Sequence, residues 1–316
     1  MKTEVKNSAT TARTSRRSAL TIMLRLVGLV RPLAGFMILA ILMGVLGNLA
    51  ATFISIFGAY ALLSAMGFVS SFPMVLLFGG MLLFALVRGL LRYAEQECNH
   101  FIAFKLLALI RDRVFTALRK LAPAKLEVKN KGNLISVITS DIELLEVFYA
   151  HTISPICIAV VFCIVMVWFI VSSTNWILGV IAFVSYLVVG VAIPLAMSKH
   201  SEQDSAEARD LAGKLSTVTL DNLRGLDEIL QYNTGAQMIE ETSQLADQLS
   251  DRQQAVKKAF GVNDAVTSTI ILLSGLVMFF SSFYLAYNQQ ILMNEAFIVT
   301  IALMSSFGPV VALAAL

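Results

Sequence analysis

The residues with chemistry to offer stand close together. Arg88, Arg92, Gln96 and His100 are four apart throughout, with Glu95 and Asn99 between them. On a helix that spacing keeps the four on one face. The result is a polar, net-basic stripe suited to an anion, in which Glu95 can pair with Arg92 or Arg88; Glu97 and Cys98 point elsewhere. The stripe follows without a break on the 15 uncharged residues Pro73–Val87. Counted from Pro73, Arg88 lies roughly 22 Å along a helix, in the inner third of a bilayer. A charge at that depth costs about 2.5–3.5 kcal/mol on insertion scales. Two readings meet that cost: the arginines snorkel to headgroups, or the stripe faces a water-filled cavity and meets an anionic substrate.

The elements that carry the stripe are membrane spans. Of the 316 residues, 57% are hydrophobic and only 14% charged, against about 25% charged in a soluble domain. Charge-free runs mark six spans, at about 33–66, 73–95, 147–171, 175–198, 264–287 and 292–316. Turn formers separate the members of each pair: Gly67–Pro73, Ser172–Asn175 and Tyr287–Glu295. None of the 24 Lys and Arg residues falls in these three connectors. Basic residues stay cytoplasmic, so both termini are expected inside and the short connectors outside. Glu295 then faces out and is expected to be solvated.

The other two connectors, roughly 93–146 and 199–263, are polar but rich in helix formers with apolar residues at helical spacing. They read as helices that carry the spans roughly 35–40 Å beyond the membrane and fold back once each. Residues 1–18 form a flexible basic tail, and 19–31 an amphipathic helix in the interface that Pro32 turns into span 1. Gly44 and Gly47 suit close packing, with Asn48 packing or lining a cavity, and Pro194 is placed to kink span 4. Cys157 and Cys163 sit in apolar runs as packing residues. No cysteine or histidine spacing suggests a metal site, and His151 and His200 read as structural.

Six spans, an interfacial helix and paired long extensions resemble the membrane domain of ABC exporters. Three motifs carry the likeness: "LVRP" at Leu29–Pro32, "GNLISVITSDIELLEVFY" at Gly132–Tyr149 and "LRGLDEILQYN" at Leu223–Asn233. Within that superfamily, "RYAEQECNHFIAFKLLALIRDRVFTALRKLAPAKL" (Arg92–Leu126) and "HTISPI" (His151–Ile156) resemble the CydC/CydD half-transporters of cytochrome bd assembly. Val137 stands where the exporter motif has arginine, and Gln96 where the CydC/CydD pattern has it. No G-x-x-x-x-G-K-[ST] phosphate loop is present, and Gly213-Lys214 lacks its flanking residues. A nucleotide-binding domain is therefore expected downstream or on another chain, and Asp141 is expected to hold helix contacts.

The resemblance implies an all-α membrane protein of the exporter type. It implies a permease domain in a bacterial inner membrane that pairs with a second half-transporter, as a homo- or heterodimer, and with nucleotide-binding domains using ATP and Mg. It implies no nucleic-acid partner and no catalytic residue in this chain. The cargo would be a thiol, cysteine or glutathione, or haem; the alternatives are a general multidrug, lipid or peptide exporter and, in another class, a membrane haem-binding or redox subunit. The substrate path would run along Arg88, Arg92, Glu95, Gln96, Asn99 and His100. The likeness associates His100 with haem, whose iron a neutral imidazole can ligate. Coupling tips would lie near Leu121, Pro123 and Lys125, and near Leu215, Leu220 and Asn222.

Overall fold

The computed structural model describes residues 31–68, 73–121 and 152–314. The basic tail, the interfacial helix, Pro123, Lys125, Asp141 and His151 lie outside them. All the described secondary structure is helical. A 3-10 turn, Arg31–Leu33, leads into α1 (Ala34–Ala65). Then come α2 (Met74–Leu121), α3 (Ser154–Ser173), α4 (Trp176–Leu187), a π turn (Val188–Ala192) and α5 (Ile193–Arg224). The chain ends through α6 (Leu226–Gln231), α7 (Gly235–Tyr287), α8 (Met293–Ser305) and α9 (Gly308–Ala314). Six helical stretches are long and apolar enough to cross a membrane, which makes this a multi-pass membrane protein of the expected fold class.

Helix length separates span from extension. α2 has 48 residues and α7 has 53, so they run for roughly 70 and 80 Å against an apolar layer of about 30 Å. The polar connectors are thus helix wherever they are described, apart from the turn residues Gly225 and Tyr232–Thr234. α5 and the first half of α7 form an antiparallel pair. Arg252 of α7 meets Asp204 at 3.5 Å and Glu207 at 3.2 Å on α5. Near the reversal, the Asn222 amide donates to the Thr242 hydroxyl at 3.2 Å.

Two compact units divide the described residues. The first comprises 31–40 and 96–121, the start of α1 and the later part of α2. In it Phe36 and Phe101 bring their rings to 4.7 Å, and Ala40, Ile102, Ala103 and Leu106 are buried. The second comprises 41–68, 73–95 and 152–314. Its core joins Phe162, Met166 and Ile170 of α3, Leu178, Ala182 and Tyr186 of α4, Met278 of α7, and Ala302, Leu303 and Phe307 along α8 and α9.

Small residues let these helices approach, as membrane helices require in the absence of a hydrophobic force between them. A Cβ on Gly179 would strike Val171, and one on Gly275 would strike Met304. Pro194 does more than bend span 4. Proline lacks an N–H and crowds the carbonyl four residues back, here Gly190. The backbone widens into the π turn, and the Ile193 N–H reaches the Val188 carbonyl instead. Gly190 then lies against Val310, whose Cγ1 would stand 3.0 Å from an added Cβ.

Candidate functional site

α2 begins at Met74, so Arg88 stands 14 residues, roughly 21 Å, along it. The helix divides the six residues of the expected path. Arg88, Arg92 and His100 are exposed and Gln96 is half-buried, whereas Glu95 and Asn99 are only 4% and 5% exposed. Glu95 and Asn99 belong to the face that continues as Ile102 and Leu106, both buried. Sequence spacing placed all six residues near one stripe; in one unit Arg88 and Arg92 are exposed and Glu95 is buried, and in the other His100 is exposed and Asn99 is buried.

Glu95 is the anchor of this region. Its Oε2 accepts a hydrogen bond from Arg92 Nη1 at 2.8 Å, across an i, i+3 step from exposed guanidinium to buried carboxylate. The carboxyl lies against Gly44 of α1, where an added Cβ would stand 3.2 Å from Glu95 Cδ and would also strike Ile158 of α3. The Asn48 amide donates to the Gly44 carbonyl at 2.8 Å, and the Thr52 hydroxyl to the Asn48 carbonyl at 3.1 Å. Gly44 therefore serves close packing, and Asn48 is half-buried beside it. A buried carboxylate is tolerable only when paired. Here the partner is Arg92, whose side chain is otherwise 60% exposed.

His100 stacks on Phe104, with ring centroids 6.1 Å apart and planes at 22°. Among the described residues no three His, Cys, Asp or Glu side chains group as metal ligands. His100 is an exposed imidazole backed by a single ring.

The far tip also differs in detail from the sequence reading. Leu215, Leu220 and Asn222 are still within α5, and Leu121 is the last residue of α2. The chain reverses later, over Gly225–Thr234. There the Gly225 N–H bonds to Asp221 O at 2.8 Å, and Asn233 takes a positive φ of 53°. Thus "LRGLDEILQYN" is the turn itself rather than the segment after it. Gly225 and Asn233 were its signal, since both types suit helix ends. Leu223, Leu230 and Tyr232 are 65%, 69% and 73% exposed on this tip.

A second concavity was missed by sequence reasoning. At the end with the short connectors, a cleft of about 290 Å³ opens between α1, α3 and α8. Phe53, Phe57 and Tyr60 line it from α1, Phe169 from α3 and Glu295 from α8. Glu295 is not simply solvated: it is half-buried, and its Oε2 accepts from the Leu292 N–H at 2.9 Å, capping α8. Three aromatics at i, i+4 and i+7 on span 1 were the available signal.

Comparison with known proteins agrees with this architecture. The family described as ABC transporter transmembrane region matches residues 37–310. A probable ABC transporter ATP-binding/permease protein of Haemophilus influenzae is 37% identical over 298 residues, which are 94% of this chain and 54% of that protein. An ATP-dependent lipid A-core flippase of Haemophilus ducreyi is 20% identical, covering 72% of this chain and 39% of its own length. The glutathione/L-cysteine transport system ATP-binding/permease protein CydC of Haemophilus influenzae is 23% identical, covering 63% of this chain and 34% of its own length. The chain thus spans about half the length of the first relative, and less of the others. The matched stretch runs from α1 into α9 and takes in all six spans, and the chain belongs to the family of ABC transporter transmembrane regions.

Proposed function

We propose that this chain is the permease part of an ATP-driven exporter of a bacterial inner membrane, and that its cargo is an anion received along the open side of α2. The observation that carries the reading is the exposure of Arg88 and Arg92 on a helix that crosses the membrane. A guanidinium at that depth needs water, a headgroup or an anion, and Arg fits carboxylates bidentately. Glu95 takes Nη1 of Arg92, and the 60% exposure of that side chain leaves it accessible to such a pair. Glutathione, cysteine and haem all carry carboxylates, and they are the cargo class that the CydC/CydD likeness suggests. The likeness to lipid A-core flippases favours a larger anionic amphiphile as the second reading, since an open helix face sets no limit on the size of the apolar part.

In this scheme a second half-transporter encloses the path, and nucleotide-binding domains supply ATP and Mg. Their closure acts on the helix tips. The exposed Leu223, Leu230 and Tyr232 form the docking surface at Gly225–Thr234, and α5 and α7 transmit the push as rigid rods. The test is reconstitution of the complete transporter in proteoliposomes, with ATPase stimulation measured for glutathione, cysteine, haem and lipid A. Stimulation by at least one of these that falls severalfold in Arg92→Ala supports the reading. Equal stimulation in wild type and Arg92→Ala leaves the arginines as headgroup anchors.

A further inference from the structure

The cleft at the short-connector end has a composition unlike the rest of the molecule. Residues 33–87 and 147–198 contain no Asp, Glu, Lys or Arg, and Glu295 is the one such residue in 265–316. Its carboxylate therefore has no basic side chain from these spans to balance it. It is fixed, because Oε2 is held by the Leu292 N–H, and it shares its cleft with four aromatic rings.

Those rings are held in place from behind. Phe84 of α2 stacks on Phe53 at 5.6 Å and meets Phe57 edge-on at 5.4 Å. Phe169 meets Phe53 edge-on at 5.7 Å. Phe57 lies where a Cβ on Gly80 would be, 2.6 Å from that position. The cavity is thus preformed and lies near the lower end of small-molecule pockets, which start at about 300 Å³. Aromatic faces attract cations through their quadrupole, most strongly where water is displaced. A fixed carboxylate adds the matching charge, and the spans that line the cleft carry no Lys or Arg.

We propose that the cleft between α1, α3 and α8 binds a small organic cation with an apolar body, its charge held by Glu295 and its body by Phe53, Phe57, Tyr60 and Phe169. The proposal is independent of the anionic cargo, and its test does not involve ATP turnover.

The experiment is calorimetric titration of the purified chain in detergent with benzyltrimethylammonium, and with phenylmethanesulfonate as a probe of similar size and opposite charge. Wild type is expected to bind the ammonium at least tenfold more tightly than the sulfonate. Glu295→Gln keeps an oxygen acceptor for the Leu292 N–H and loses only the charge; it should weaken ammonium binding about tenfold with an unchanged melting temperature. Phe169→Leu should weaken it severalfold, and Phe57→Leu is the second aromatic variant should Phe169→Leu fold poorly. Equal ammonium affinity in wild type and Glu295→Gln, sulfonate binding as tight as ammonium, or no ammonium binding by wild type overturns the proposal.

Discussion

Spans 2 and 6 have similar composition and opposite surroundings. Of the most apolar stretch of α2, 6% of the residues are buried; of the corresponding stretch along α8 and α9, 50% are. Span 6 lies inside the bundle, where Ala296, Ala302 and Leu303 are fully covered and the Tyr186 and Ser306 hydroxyls meet at 2.5 Å. Span 2 is held to the same unit mainly by Phe84, Gly80 and Glu95. A helix so little covered by its own chain must be covered by lipid or by a partner, and this is the helix that carries the two exposed arginines. Hydropathy alone does not distinguish a span buried in the bundle from one left uncovered by its own chain; burial does.

The contrast can be broken by matched substitutions. The largest expected effect is overpacking in span 6. Ala302→Leu puts a larger side chain where none of the surface is exposed, and should cost about 1–3 kcal/mol. The same change on the open side of span 2, Ala85→Leu, should stay within about 0.5 kcal/mol. Thermal melts in one detergent compare the two, and equal losses would erase the distinction. Next is Arg92→Ala, which leaves the Glu95 carboxylate buried without its partner. A loss of about 1–2 kcal/mol follows, below the figure for fully buried pairs because Arg92 is 60% exposed on its side chain. Tyr186→Phe removes one buried hydrogen bond between α4 and the end of α8 and should cost about 1 kcal/mol. The smallest effect on stability belongs to the tip. Leu230→Ala should leave the melt unchanged within about 0.5 kcal/mol, yet reduce cargo-stimulated ATPase in the complete transporter.

The sequence made some of these features legible and concealed others, for physical reasons. Charge-free runs and their turn formers are read directly, because a bilayer forbids charge over about 20 residues and Gly67, Asn175 and Asn288 mark where α1 ends, α4 starts and α7 ends. Helical spacing picked out Arg88, Arg92 and His100, each of which is exposed. It could not tell that Glu95 and Asn99, one residue away on the helix wheel, face the interior, because spacing fixes relative directions and not which direction meets a neighbour. The space that admits the Glu95 carboxyl is the missing side chain of Gly44; spacing marks Gly44 as a close-packing position without saying what packs there. The π turn before Pro194 was half legible: proline predicts a disturbance, while the wider turn and the approach of Gly190 to Val310 involve a span distant in sequence. Glu295 looked solvated because it lies beside a connector, yet the aromatic rings that enclose it come from spans distant in sequence.

The central claim is that the side of α2 bearing Arg88 and Arg92 faces water while the opposite side faces lipid. Single cysteines placed at Arg88, Arg92, Leu83 and Leu90, in a chain with Cys98, Cys157 and Cys163 replaced by alanine, test it directly through labelling by a charged, membrane-impermeant thiol reagent. Leu83 and Leu90 are also uncovered by the chain, 59% and 72% exposed, but lie across the helix. Modification at Arg88→Cys and Arg92→Cys with none at Leu83→Cys and Leu90→Cys is the predicted result. Protection of all four positions, or equal modification of all four, would contradict it.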